Sequence, residues 1–207
     1  MRLSSWPLLL LGLLAASPIF AETPTNPKGG AVAALEQLRE ARGDEFRPRY
    51  LLVGPGGQAV SHEDFRGRWQ LIAFGYTFCP DICPTTLVEM GAILKSLGEQ
   101  ASKVQPLFIS VDPERDKPEA LKAYTEFFDP RIIGLTGSHA LIARAARNFH
   151  VRYAKVEQPG ATGGHYAVDH SAGMYLLGPD GSYVRKFAYG QPVEEIVASL
   201  REMMARR

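Results

Sequence analysis

The stretch from Thr77 to Thr86 constrains this chain most, because it holds both of its cysteines, Cys79 and Cys83, in a C-x-x-x-C motif. The apolar run Leu71–Tyr76 precedes the motif, and apolar residues at helical spacing follow it. This pattern predicts a buried strand that leads through a dithiol into a helix. Such a dithiol can exchange with disulfides, bind a soft metal ion, or do both.

Hydrophobic periodicity predicts alternating strands and helices along the rest of the chain. The helix after the motif is predicted from Leu87, Met90, Ile93, Leu94 and Leu97, with Thr85 or Thr86 as its cap. The later predicted elements are a strand Val104–Val111, a helix Glu119–Phe128, a strand Arg131–Leu135, a helix Ser138–His150, an extended segment Val151–Val156, a Gly-rich loop Gln158–Gly164, a hairpin of Ala172–Leu177 and Tyr183–Phe187, and a helix Val193–Met204.

This order predicts one α/β domain over residues 44–207, with a mixed central sheet and helices on both faces. A further β-hairpin is predicted where Arg49–Val53 and Ala59–Val60 flank a Gly-Pro-Gly-Gly turn. Because the dithiol lies at the end of a buried strand and at the start of its helix, the predicted arrangement is thioredoxin-like.

Residues 1–21 have the features of a secretory signal peptide. Arg2 supplies a positive charge, Leu8–Ala16 forms a short apolar core, and Ile19–Ala21 ends in a small residue suited to cleavage. A spanning helix needs about 20 apolar residues, so cleavage is favoured over an uncleaved inner-membrane anchor. Residues 22–43 are predicted to form a linker and a short helix. Export predicts a bacterial periplasmic location, where disulfides can form.

The charge of the chain excludes nucleic acid as a partner. The formal net charge is +1 at pH 7, and the sequence shows no extended basic face. Contact with a membrane is expected at most through an uncleaved N-terminus.

Cys79 and Cys83 fit a reactive or metal-binding pair better than a structural disulfide, because a disulfide that closes so short a loop stabilises little. If Cys83 begins the helix, the helix dipole favours its thiolate. A structural zinc site needs four ligands, and the sequence has no second cysteine pair. Soft thiolates favour Cu(I), with an imidazole as a plausible third ligand.

His170 is the best candidate for that imidazole among the five histidines. It precedes the predicted strand Ala172–Leu177, in the region where a thiol oxidoreductase of this fold has a cis-proline. No proline occurs between Pro159 and Pro179. His165 is a weaker candidate in the Gly-rich loop. The other histidines are predicted at the surface or at helix ends: His62, His139 and His150.

Three motifs closely resemble the Sco/SenC family of cytochrome oxidase assembly proteins. They are Phe74–Pro84, Ser110–Asp116 and Val168–Ser171, and the likeness runs from about Asp44 to the C-terminal helix. The resemblance implies a thioredoxin-like fold with an inserted hairpin. It also implies one copper ion, as Cu(I) or Cu(II), bound by Cys79, Cys83 and His170.

The resemblance further implies a copper metallochaperone for the binuclear copper site of cytochrome c oxidase. Its expected partner is the copper-accepting subunit of that oxidase, together with other thioredoxin-like or copper-carrier proteins. A Cys79–Cys83 disulfide would abolish copper binding, so thiol oxidation would gate the function. The alternative is a thiol–disulfide oxidoreductase that reduces the client's copper-ligand cysteines. A thiol peroxidase and a passive copper store or sensor are further alternatives.

Charged residues in the same motifs are predicted to have mainly structural roles. For Asp112 that role is a turn with Pro113. Asp81 and Asp169 either support their loops or adjust the metal site without binding the metal. Met174 is predicted in the core. A solvated approach to the next helix is predicted for Arg115, Asp116 and Lys117.

Overall fold

The computed structural model of the chain describes residues 46–157 and 166–206. The predicted signal peptide (1–21), the linker and short helix (22–43), and the Gly-rich loop with His165 lie outside these residues. Glu45–Arg207 form one compact unit. In the part of the chain that the structure describes, no helix is both long enough and apolar enough to cross a membrane.

A mixed five-stranded sheet forms the centre of the fold. Its strands are β3 Trp69–Gly75, β4 Val104–Ser110, β5 Ile133–Leu135, β8 Met174–Leu177 and β9 Tyr183–Phe187, and their order across the sheet is β5-β4-β3-β8-β9. Strands β5, β4 and β3 are parallel to one another. Strand β8 runs antiparallel to both of its neighbours, β3 and β9. Every residue of β3 and β4 is buried, as expected for strands covered on both faces.

Helices cover both faces of this sheet, as predicted. Because β4 residue Phe108 pairs in register with Ala73, its side chain points away from that of Phe74. The ring of Tyr124, in α2, packs against Phe108, whereas the ring of Phe149, just after α3, packs against Phe74. The helices are α1 Ile82–Leu97, α2 Pro118–Phe128, α3 His139–Asn148 and α4 Val193–Ala205, with short 3₁₀ helices at His62–Phe65 and Gly98–Lys103.

Two antiparallel hairpins lie outside the central sheet. The first, β1 Leu51–Val53 with β2 Ala59–Ser61, was predicted from the sequence. The second joins β6 Tyr153–Glu157 to β7 Tyr166–His170 and pairs with no other strand among the described residues. The sequence pattern did not predict β7, so the expectation that His170 lies in the loop entering β8 is wrong. His170 instead ends a strand.

Helix α1 begins at Ile82, so the prediction that Thr85 or Thr86 caps it is wrong. Pro84 lies in the first turn, where a missing backbone N–H costs nothing. The hydroxyls of the two threonines donate backwards to carbonyls instead of capping: Thr85 to Asp81 at 2.9 Å and Thr86 to Ile82 at 2.8 Å. The early start places Cys83 inside the first turn.

Candidate metal centre

The two cysteines lie on either side of the start of α1 and differ in exposure. Cys79 is half-buried in the turn after β3, and Cys83 is 2% exposed. Both thiols are free. Cys83 packs directly against β3, because a Cβ atom added to Gly75 would lie 2.6 Å from its sulfur. The glycine therefore leaves the space that the sulfur of Cys83 fills.

The hairpin of β6 and β7 brings His170 to this buried thiol. The Nε2 atom of His170 lies 3.2 Å from the sulfur of Cys83. The imidazole also packs edge-to-face on Tyr76, with ring centroids 5.9 Å apart. Three separate elements, β3, α1 and β7, thus meet at the site.

The donor set of this site suits a soft metal ion. Donor atoms that share one ion through bonds of about 2.0–2.3 Å must lie close together, and the 3.2 Å between Cys83 and His170 meets that condition. Over residues 46–157 and 166–206, no group of three or more His, Cys, Asp or Glu side chains is arranged to hold a metal ion. The structure therefore assembles the Cys83–His170 pair, and Cys79 as the further ligand stays a prediction.

Burial raises the pKa of the Cys83 thiol far above its ordinary value, and the nearby Cys79 and Asp116 raise it further. Cys83 lies in the first turn of α1, where the helix dipole was expected to favour its thiolate, but loss of solvent outweighs the dipole at so buried a sulfur and the pKa is raised. In the absence of a cation Cys83 is a thiol at neutral pH. It donates to Nε2 in the His170 tautomer that leaves this nitrogen unprotonated.

Burial also lowers the pKa of His170, although the nearby Asp169 works in the opposite direction. The imidazole is therefore neutral at neutral pH. Neutral imidazole is the form that binds metal ions.

A fully buried carboxylate, Asp116, fixes the beginning of the cysteine loop. It accepts hydrogen bonds from the amide of Thr77 at 3.1 Å, from the Thr77 hydroxyl at 2.5 Å and from the Ser110 hydroxyl at 2.6 Å. Burial raises the pKa of Asp116, and these hydrogen bonds oppose the rise. The prediction that Asp116 is solvated is wrong, because these contacts bring it beneath the loop.

Arg115 is half-buried and lies among aromatic rings, so the prediction of a solvated side chain is wrong for it too. Its Nε donates to the buried Asp112, and its Nη1 donates to the carbonyl of Tyr166 at 3.1 Å. The hydroxyl of Tyr166 donates in turn to Asp112 at 2.8 Å. Lys117 is exposed, as predicted. Nothing in the local sequence signals that this polar run packs against the distant Tyr166.

The other residues singled out from the sequence have the following environments. Met174 is in the core, as predicted. His139 is exposed, with its Nε2 3.7 Å from Glu114, and His150 stacks on Phe46 beyond α3. The prediction that His62 lies at the surface is wrong, because its side chain is only 16% exposed. Asp81, before α1, and Asp169, in β7, are both exposed.

Comparison with known proteins identifies the family. The profile of the SCO1/SenC family matches residues 39–205. The chain belongs to the SCO1/SenC family. Among SCO1/SenC relatives, the mitochondrial protein SCO2 homolog of Mus musculus is 40% identical over 174 residues, which cover 83% of this chain and 66% of that protein. The chain thus spans about two thirds of that relative's length.

Solved SCO1/SenC structures confirm the predicted thioredoxin-like fold. ScoI of Bradyrhizobium japonicum, solved with copper bound, is 40% identical and has a TM-score of 0.69, over 76% of this chain and 98% of that one. BsSco, described as a member of the Sco family of cytochrome c oxidase assembly proteins with a disulfide switch, is 28% identical. Its TM-score is 0.58, over 76% of this chain and 93% of BsSco.

Proposed function

We propose that this protein binds one copper ion through Cys79, Cys83 and His170 and delivers it to the copper-accepting subunit of cytochrome c oxidase. The observation that carries the proposal is the 3.2 Å contact between the sulfur of Cys83 and Nε2 of His170. The copper-bound ScoI structure and the description of BsSco as an oxidase assembly protein support it. The signal peptide predicted for residues 1–21 supports a periplasmic location, with or without an anchor.

Copper in this proposal replaces the proton that Cys83 and His170 share. Metal ions bind thiolate and neutral imidazole, so binding releases the proton of the Cys83 thiol. The raised pKa of Cys83 keeps that proton in place until a cation arrives. The soft sulfur donors favour Cu(I).

Transfer follows from the different exposure of the two cysteines. Three protein ligands leave a coordination position open to a ligand of the acceptor. Cys79 is half-buried and Cys83 is almost fully buried, so the acceptor displaces Cys79 first and Cys83 last. Copper then passes from one protein to the other without release into solution.

Thiol oxidation gates this function. Both cysteines are free, and a Cys79–Cys83 disulfide would remove two of the three proposed donors. The disulfide switch described for BsSco supports this part of the proposal.

A transfer assay tests the proposal. Reduced, Cu(I)-loaded protein is mixed with the soluble copper domain of the oxidase subunit, and the copper in each is measured after separation. The copper is expected on the acceptor, and a His139→Ala variant is expected to behave as wild type because the exposed imidazole of His139 faces Glu114. Copper that stays on this protein would contradict the proposal. Transfer that stops when a chelator is added to trap free copper would also contradict it.

A thiol–disulfide oxidoreductase is the second candidate, favoured by the accessible free thiol of Cys79. Such an enzyme needs both cysteines but not His170. Copper-free His170→Ala protein is therefore expected to reduce an oxidised acceptor at the wild-type rate if this candidate is correct. No reduction by copper-free wild-type protein would exclude it.

A further inference from the structure

We propose that Arg115 and Tyr166 form a clasp that holds the hairpin carrying His170 against the loop carrying Cys79, and so positions His170 before any metal arrives. Both are positioning residues, because neither touches the donor atoms. The inference rests on the proposed function, in which His170 is a copper ligand.

The hairpin needs such a contact because the sheet does not hold it. Strands β6 and β7 pair only with each other among the described strands, and all but the first residue of β6 are exposed. At the base of the hairpin, the chain runs from His170 to β8 through Gly173, whose φ of +98° favours glycine. Val168 and the Tyr76–His170 ring contact anchor the middle and the end of β7. The start of β7, at Tyr166, is held by Arg115 and by the two acids that accept from the Tyr166 hydroxyl, Asp112 and Glu114.

Arg115 reaches both ligand-bearing elements at once. Its guanidinium carbon lies 3.7 Å from the ring centroid of Tyr166 on the hairpin. On the cysteine side it lies 4.7 Å from the ring of Phe78 and 5.5 Å from the ring of Tyr76. A planar guanidinium stacks on such rings, whereas the ammonium group of a lysine does not. The single side chain therefore bridges the residue before Cys79 and the strand that ends at His170.

A buried acid keeps Arg115 in this position. Asp112 is 3% exposed and binds both Nε of Arg115 and, at 2.8 Å, the hydroxyl of Tyr166. The Nη1 of Arg115 donates to the carbonyl of Tyr166 at 3.1 Å. Because only Val111 separates Asp112 from the end of β4, the clasp is fixed to the central sheet. It extends from there to the hairpin.

Replacing Tyr166 tests the clasp without leaving the buried Asp112 unpaired. Tyr166→Leu removes the ring and the hydroxyl but leaves the Arg115–Asp112 pair intact. Lys155→Gln is the matched control, because Lys155 lies on the same hairpin, touches the same ring and pairs with Glu114 at 3.0 Å, but does not touch the cysteine loop. It therefore separates the Arg115 contact from the Lys155–Glu114 pair. Arg115→Lys is a second variant that keeps the charge and loses the planar fork.

The first readout uses copper-free, reduced protein. Wild type and Lys155→Gln are expected to show a nuclear Overhauser contact between the rings of Tyr76 and His170. Tyr166→Leu and Arg115→Lys are expected to lose it and to exchange the amide protons of β7 faster. An unchanged ring contact in both clasp variants would overturn the proposal, as would an equal loss in Lys155→Gln.

The second readout is Cu(I) affinity measured by competition with a chelator. The clasp variants are expected to bind about 10–100-fold more weakly, the usual cost of losing a group that orients a ligand. His170→Ala separates the two proposals. If it binds copper as tightly as wild type, the proposed function fails. If it binds weakly while both clasp variants bind normally, the clasp alone fails.

Discussion

The sulfur of Cys83 and Nε2 of His170 lie 3.2 Å apart, although 87 positions separate the two residues in the chain. One comes from the first turn of α1 and the other from the last residue of β7. Both are largely withdrawn from solvent, which keeps the thiol protonated and the imidazole neutral. The pair is thus prepared to exchange a shared proton for a soft cation.

Gly75→Ala is expected to disturb this pair directly. The added methyl group would lie 2.6 Å from the sulfur of Cys83 and 2.7 Å from the ring of Phe108. Overpacking of this kind costs about 1–3 kcal/mol, and the sulfur must move away from β3. Chemical denaturation measures the loss of stability, and chelator competition measures an expected loss of Cu(I) affinity.

Gly91→Ala provides the control for that substitution. Gly91 lies within α1, and the nearest atom to an added Cβ is 3.6 Å away. Alanine is expected to raise the free energy of unfolding by up to about 1 kcal/mol through helix propensity. If Gly75→Ala were as harmless as Gly91→Ala, the close packing of Cys83 on β3 would be wrong.

The two thiols are expected to react at very different rates with iodoacetamide. Cys79 is half-buried, whereas Cys83 is 2% exposed and burial raises its pKa. Alkylation needs an accessible thiolate. Reduced, copper-free Cys83→Ser protein, which keeps Cys79, is therefore expected to be labelled much faster than Cys79→Ser protein. Mass spectrometry follows both reactions, and faster labelling of Cys83 would contradict this account.

Asp116→Ala is expected to destabilise the cysteine loop. It removes the acceptor for the amide and the hydroxyl of Thr77, and an unsatisfied buried polar group costs about 1–3 kcal/mol. Asp116→Asn keeps an acceptor and is expected to cost less at neutral pH. Denaturant unfolding of both variants gives the comparison, and equal stability of Asp116→Ala and wild type would contradict the role of the carboxylate.

The raised pKa of Asp116 predicts how its contribution to stability changes with pH. The pKa of Asp116 in the folded protein is raised above its ordinary value, so the folded state binds the proton more tightly than the unfolded state. Stability from this group is complete below the ordinary pKa and is lost as pH rises through the folded pKa. The stability of wild type relative to Asp116→Asn is therefore expected to increase as pH falls. A difference that stays constant with pH would show that the pKa is not raised.

Local patterns were sufficient to predict the core of the fold. The apolar run before the cysteines, the helical spacing after them and the turn between β8 and β9 each correspond to an element that the structure contains. The approach of His170 to the dithiol was predicted from its place before β8 in a thioredoxin-like topology. The contact itself depends on β7, whose sequence gave no clear strand pattern.

Long-range burial of charge was not predictable from the sequence. Arg115, Asp116 and Lys117 are consecutive charged residues, a pattern typical of a solvated segment, and only Lys117 is exposed. Asp116 is buried because Thr77 and Ser110 donate to it, and Arg115 is half-buried because rings from two distant segments surround it. The predicted cap at Thr85 or Thr86 placed the start of α1 too late, whereas the helix begins at Ile82 and has Pro84 in its first turn, where a proline breaks no hydrogen bond.

X-ray absorption of the reduced, Cu(I)-loaded protein tests the central claim most directly. Wild type is expected to show two sulfur donors and one nitrogen donor per copper ion, and His170→Ala is expected to lose the nitrogen donor, while His139→Ala keeps it. A nitrogen donor that persists in His170→Ala, or copper held by a single sulfur in wild type, would contradict the assignment of Cys79, Cys83 and His170 as the copper site.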